Sequence, residues 1–220
     1  MNKDIFYQTI HDAGVIPVVK LEIPSLASPL AKALFNGGIG VIEITFRTAC
    51  ASEAIRRIKA ECPQILLGAG TIITKAQVCE AKAAGAQFCV APGLNPEIVQ
   101  YCQEQGMFML PGVMTPSEIE KGLSLGLDVF KFFPAHQAGG LPMLKALRGP
   151  YRGVRFVPTG GISLANAADY LSYPGVLAVG GSFLCESRLV EAEDFPAIQA
   201  LAAQAAQLAA GARLSGGIKA

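Results

Sequence analysis

Lysine is among the side chains least often found fully buried, yet Lys131 stands inside the aromatic run Asp128-Val129-Phe130-Lys131-Phe132-Phe133-Pro134, which reads as a buried strand. Removal from water penalises the ammonium and favours the free amine. A free amine can condense with a ketone to form a Schiff base. The plainer alternative is a lysine at a strand end whose ammonium snorkels to solvent. Lys20, at the end of another apolar run, is a competing amine. It has fewer aromatic neighbours, and Leu21-Glu22 beside it reads as solvated.

Side chains alternate across a strand, so in Val41-Ile42-Glu43-Ile44-Thr45-Phe46-Arg47 the residues Glu43, Thr45 and Arg47 share one face and Ile42 and Ile44 the other. By the same rule Val129, Lys131 and Phe133 share a face. If both faces turn into one interior, a carboxylate and an amine converge on one cavity. Glu43 has a second account, a structural ion pair. Buried ion pairs give little net stabilisation, however, and interacting acid and base groups in a cleft are functional candidates. Arg47 and Thr71 are natural partners for a carboxylate, since guanidinium binds it through two donors and hydroxyl adds a third; otherwise they are a surface arginine and a helix-proximal threonine. Two diglycine turns, Pro158-Thr159-Gly160-Gly161-Ile162-Ser163 and Val179-Gly180-Gly181-Ser182-Phe183, let backbone N–H groups approach an anion closely. Tight turns that need positive φ are the other reading of them.

The elements that must position these residues alternate along the chain. Short apolar runs predict strands over residues 15–20, 40–45, 65–69, 87–91, 107–110, 128–132, 155–158 and 176–180. Amphipathic segments between them predict helices over 26–36, 52–60, 75–84, 96–105, 116–125, 141–148 and 165–171, with a last helix over about 191–210 and an extra one over 4–13. Glycines at Gly37, Gly85, Gly106 and Gly126 supply C-terminal stops, and Thr74-Lys75-Ala76-Gln77 has capping-box spacing. Parallel strands need helical crossovers, so this even alternation predicts a (β/α)₈ TIM barrel with an extra N-terminal helix, a single domain over residues 1–220. An open doubly wound sheet is the structural rival, but no Gly-x-Gly-x-x-Gly follows the first strand. In a barrel the chemistry lies at the C-terminal strand ends, and phosphate is often held by the loops after strands seven and eight. The two diglycine turns fall there.

Bulk properties narrow the function. Of 220 residues, 51% are hydrophobic and 16% charged, enough for one large core. A net charge of +1 argues against a nucleic-acid partner, which needs a concentrated basic surface. Six cysteines without a C-x-x-C pair read as reduced thiols of a cytoplasmic protein. His11 and His136 form no metal-ligand pattern, so no metal site is expected. The N-terminal residues lack the apolar core of a signal peptide, and no charge-free apolar stretch reaches about 18 residues, so no membrane span is expected.

The motifs Val41-Ile42-Glu43-Ile44-Thr45-Phe46-Arg47-Thr48, Gly68-Ala69-Gly70-Thr71, Lys131-Phe132-Phe133-Pro134-Ala135, Pro158-Thr159-Gly160-Gly161-Ile162-Ser163 and Gly180-Gly181-Ser182 occur in that order. Together they resemble the 2-keto-3-deoxy-6-phosphogluconate aldolase family, the class I aldolases of the Entner–Doudoroff pathway, over residues 15–188. The resemblance implies a homotrimeric (β/α)₈ barrel using neither metal nor cofactor. Lys131 would be the Schiff-base lysine and Glu43 the general acid/base; Arg47 and Thr71 would hold the pyruvate carboxylate. Phe133 and Pro92 would line the pocket, while Thr159, Gly160, Gly161, Gly180, Gly181 and Ser182 would face the far end and phosphate of the substrate. The implied reactions are cleavage of 2-dehydro-3-deoxy-6-phosphogluconate to pyruvate and glyceraldehyde 3-phosphate, and of 4-hydroxy-2-oxoglutarate to pyruvate and glyoxylate. One departure bears on aldehyde selectivity: the chain has His136-Gln137-Ala138-Gly139-Gly140 where many members carry Glu-Ala-Asn-Gly-Gly. Relatives specific for the galactonate epimer tend to carry an apolar residue at the place of Thr159, so Thr159 points to the gluconate substrate. A non-catalytic phosphosugar-binding barrel is the remaining reading.

Overall fold

Parallel pairing closes the strands into a ring. In the computed structural model, which describes residues 2–216, β1 (Val15–Val19), β2 (Val41–Thr45), β3 (Leu66–Gly70), β4 (Phe88–Val90) and β5 (Phe108–Leu110) pair in succession, and β9 (Val179–Gly181) pairs the other edge of β1. A second set joins β6 (Gly112–Val113), β7 (Val129–Phe132) and β8 (Arg155–Pro158). Single bridges Phe156–Val176 and Thr159–Gly180 tie β8 to the last strand. At the other seam only Pro111 separates β5 from β6, so the expected barrel is formed.

The fifth strand was expected unbroken over 107–110; it continues past Pro111 as β6. Proline has no N–H to donate, but the Pro111 carbonyl still accepts from Lys131 N at 2.9 Å, so the ladder survives on the side that matters to β7. The first strand stops at Val19, leaving Lys20 outside it, exposed and 2.7 Å from Glu22. The last strand lies at Val179–Gly181 rather than over 176–180, with residue 176 making only the isolated bridge.

Helices α1 (Lys3–Ala13), α2 (Ala27–Asn36), α3 (Ala51–Glu61), α4 (Lys75–Ala84), α5 (Pro96–Glu104), α6 (Pro116–Ser124), α7 (Gly140–Arg148) and α8 (Leu164–Leu171) fall close to their predicted spans. The Thr74–Gln77 capping box is present, and Gly85 closes α4 at φ 106°. The last helix, expected over about 191–210, is α10 (Phe195–Gly216), and a short helix that was not expected, α9 (Ser187–Glu191), precedes it. Glu193 at φ 53° breaks the run, and the Asp194 carboxylate accepts from Ala197 N at 3.1 Å to start α10. A short 3₁₀ turn, Pro24–Leu26, precedes α2.

Two cores follow from strand alternation. Outward residues such as Ile42, Ile44, Ala69 and Phe130 pack under the helices. Inward residues Ile16, Val41, Leu66, Phe88, Val90, Leu110, Val129 and Val157 fill the lower lumen, where α1 inserts Phe6, Tyr7 and Ile10. Phe6 stacks on Phe108 with centroids 4.2 Å apart. Among the described residues this plug fills the N-terminal end of the barrel, leaving the polar inward positions at the C-terminal strand ends. Among the described residues no helix is long and apolar enough to cross a membrane.

Candidate active site

Glu43 and Lys131 each lie two residues beyond an inward valine, Val41 and Val129, and so point into the lumen above the apolar plug. Strands β2 and β7 stand on opposite sides of the ring, and the two side chains meet across it. Lys131 Nζ is 3.9 Å from Glu43 Oε1, with the side chains 8% and 4% exposed. That separation is too long for a direct hydrogen bond. It suits an ion pair that a third polar atom can bridge from the side, about 2.8 Å from each partner. The ammonium also lies 5.1 Å from the centre of the Phe133 ring, a cation–π distance. Lys131 is therefore buried rather than snorkelling, while the rival Lys20 is half-exposed and paired to Glu22.

Missing side chains make the room. Gly68 and Gly70 are the inward positions of β3, paired with Glu43 and Thr45. A Cβ on Gly70 would collide with the Glu43 carboxylate, and one on Gly68 with the Phe88 ring. Opposite Lys131 on the neighbouring strand is Gly112, where a Cβ would strike the Pro92 carbonyl. The sequence motif Gly68-Ala69-Gly70-Thr71 contained two of these glycines without a role for them, although two-residue spacing on a strand is a signal for a close approach.

The other candidates occupy the mouth. Thr45 Oγ1 donates to Val19 O at 3.0 Å, and the exposed Arg47 donates through Nε to Thr45 Oγ1 at 3.3 Å. Thr71 follows Gly70 at φ 61°, a left-handed conformation uncommon for threonine. Arg47 and Thr71 thus rise from adjacent strand ends, without a hydrogen bond between them. Phe133 and Pro92 lie on the loops after β7 and β4.

Thr159 is buried, and its methyl and hydroxyl fill the space that a side chain on Gly180 would need. Through the Thr159–Gly180 bridge the two diglycine turns become neighbours. Gly160 and Gly161 have φ of 98° and 72°. Among the described residues, the amides of Gly161, Ile162, Ser182 and Phe183 donate to no other group. Free amides gathered from two turns at a barrel mouth suit an oxyanion. Gly181 sits under the Phe183 ring and Ser182 is exposed beside it.

Cys185 lies three residues beyond Ser182. Burial, aided by the charge of Glu186, pushes it up to about 12, so it offers no thiolate at neutral pH. Among the described residues no cluster of three His, Cys, Asp or Glu side chains could hold a metal.

The fold and site together define a plugged (β/α)₈ barrel whose mouth presents a buried amine–carboxylate pair between a cationic rim and an anion cradle. The chain belongs to the KDPG and KHG aldolase family, whose model matches residues 7–201. It is 48% identical over 202 residues to a 2-dehydro-3-deoxy-phosphogluconate aldolase of Treponema pallidum, covering 92% of this chain and 96% of that one. It is 45% identical over 193 residues to the KHG/KDPG aldolase of Escherichia coli K12, covering 88% and 91%. A solved KDPG aldolase from Legionella pneumophila, with pyruvate captured as a covalent carbinolamine, superposes with a TM-score of 0.87 at 41% identity, covering 90% of this chain and 96% of that one.

Proposed function

We propose that this chain is a class I aldolase that cleaves 2-dehydro-3-deoxy-6-phosphogluconate to pyruvate and glyceraldehyde 3-phosphate, and 4-hydroxy-2-oxoglutarate to pyruvate and glyoxylate. The observation that carries the reading is the Lys131–Glu43 pair, 3.9 Å apart and almost fully buried at the open end of the barrel. The names of the relatives, and the carbinolamine captured in the Legionella protein, support the same chemistry.

In this reading Glu43 takes the proton of the Lys131 ammonium, and the free amine adds to the C2 carbonyl of the substrate. The carbinolamine hydroxyl then sits between Nζ and the Glu43 acid, which protonates it as water leaves. The resulting iminium accepts the electron pair of the C3–C4 bond. Glu43, or a water it orients, removes the C4 hydroxyl proton, the bond breaks and the aldehyde departs. Protonation of the enamine at C3 and addition of water at C2 release pyruvate and restore Lys131. Arg47 and Thr71 receive the C1 carboxylate, Phe133 and Pro92 wall the reacting carbons, and the uncommitted amides of the two diglycine turns, beside Thr159 and Ser182, receive the phosphate.

Borohydride added with pyruvate tests this directly. The expected result is a stable adduct mapped to Lys131 by tryptic peptide mass. No adduct, or one on Lys20, overturns the assignment. The working form in this reading is a cytoplasmic homotrimer, checked by a sedimentation mass three times that of the chain.

A further inference from the structure

Arg47 is exposed, yet the backbone that carries it is fastened on both sides. Phe46 N donates to Gly70 O at 2.7 Å, so a backbone bond joins the residues that precede Arg47 and Thr71. Toward β1 the ties are side chains. Thr45 Oγ1 donates to Val19 O at 3.0 Å, and Thr48 Oγ1 donates to Leu21 O at 2.6 Å. Arg47 thus stands between two threonines that are both anchored to the exit of β1.

Thr45 is only 1% exposed. A hydroxyl has a single proton to give, and Thr45 gives it to Val19 O. Its lone pairs are left for Arg47, whose Nε donates to Oγ1 at 3.3 Å. Among the described residues, the two Nη groups of Arg47 donate to no other group. The guanidinium therefore has its Nε side committed to the protein and its Nη1–Nη2 edge free. Two parallel donors on that edge match the two oxygens of a carboxylate.

We propose that Thr45 is a positioning residue, which holds Arg47 so that the paired Nη groups meet the C1 carboxylate of the keto acid. The inference rests on the reading above that Arg47 receives that carboxylate. Fixing the guanidinium beforehand removes the need to order a long side chain on binding. The carboxylate takes no part in bond breaking, so this contact is equal in the bound substrate and the transition state. Its loss raises KM and leaves kcat. Every 2-keto acid carries the same carboxylate, so substrates of either length are affected alike.

The test uses Thr45→Val, which keeps the branched shape without the hydroxyl, Thr45→Ser, which keeps the hydroxyl, Arg47→Met, and the double variant Thr45→Val/Arg47→Met. Each is assayed for the pyruvate concentration that half-saturates borohydride trapping, and for KM and kcat on 2-dehydro-3-deoxy-6-phosphogluconate. Thr45→Val should raise that concentration and KM by about tenfold, the size of one hydrogen bond from a charged donor, with kcat held within about twofold. Thr45→Ser should stay within about threefold of wild type. In the Arg47→Met background, Thr45→Val should add nothing further. The same penalty with and without Arg47, or a fall in kcat at unchanged KM, would make Thr45 a support for the strand alone and overturn the proposal. The wild type gives a reading that needs no substrate and no folded Thr45 variant. The Arg47 Nε–H resonance, identified by its absence from Arg47→Met, should exchange with water about tenfold slower than that of free arginine; free exchange overturns the clamp. If wild type traps no pyruvate, the aldolase reading falls and takes the carboxylate role with it, whatever the exchange rate shows.

Discussion

Replacing Lys131 by Met or Glu43 by Gln removes one charge from a pair that has almost no access to water. At 3.9 Å the attraction between unit charges is about 4 kcal/mol for an effective dielectric constant of about 20. Lys131→Met leaves the Glu43 carboxylate buried without its counter-charge, and Glu43→Gln does the same to the ammonium. Each single change should lower the unfolding free energy by about 3 kcal/mol, the lower end of the range for broken buried pairs, because the lumen opens to solvent just above them. The double variant Lys131→Met/Glu43→Gln has no charge left to strand. It should lose only about 2–3 kcal/mol where independent single losses would sum to about 6, a coupling of about 3–4 kcal/mol. Urea unfolding at one fixed protein concentration measures the three variants, with unchanged slopes required for the comparison. All three variants should release no pyruvate. A coupling below about 0.5 kcal/mol, the scatter of independent sites, would mean that the two groups do not sense each other, and the across-lumen pair would be refuted.

Other consequences are simpler to check. Gly70→Ala drives a methyl into the Glu43 carboxylate; the expected loss is about 1–3 kcal/mol of stability together with most of the cleavage rate, read by urea midpoint and pyruvate release. Tyr7 donates to Asp128 at 2.9 Å, linking α1 to the base of β7, so Tyr7→Phe should cost about 1 kcal/mol, or about 2–4 °C in Tm for a chain of this size. Burial, then the charge of Asp128 and its hydrogen bond, hold the Tyr7 phenol above its usual range. The unfolded chain therefore loses this proton first. The stabilisation is complete below pH about 10 and is lost as pH rises beyond it, so Tyr7→Phe should flatten the fall in stability there. Exhaustive dialysis against EDTA should leave pyruvate release unchanged, and activity lost to EDTA and restored by a divalent metal would transfer the chemistry to a Lewis acid.

The alternation of apolar runs and capped helices made the barrel legible because most elements carry local signals that agree with the fold. The Thr74 capping box and Gly85 stop bound α4 without tertiary help. Misreadings fell where tertiary structure overrides local pattern. Pro111 divides a strand whose carbonyls remain useful on one side only, and a non-glycine residue, Glu193, takes the positive φ that separates α9 from α10. Strand alternation gave Glu43 and Lys131 their faces, and the lumen only on condition that both faces turn inward. That they stand across the ring from each other followed only once closure was known. The free amides of the two turns were invisible for a similar reason, since Thr159 and Gly180 become neighbours only when the ring shuts.

Closure also explains why the polar layer lies where it does. The α1 residue Phe6 packs its ring against Phe88 and Phe108, and a charge placed one inward position lower on β2 or β7 would sit where Val41 and Val129 are fully buried. One position higher on β7, at Phe133, the side chain is only partly buried. Glu43 and Lys131 lie above the apolar plug, almost fully buried, where low local dielectric strengthens their interaction. Gly68, Gly70 and Gly112 keep that layer from filling with side chains. A barrel selected for stability alone would place branched residues there. The inward glycines are thus as diagnostic of a working site as the charges they surround.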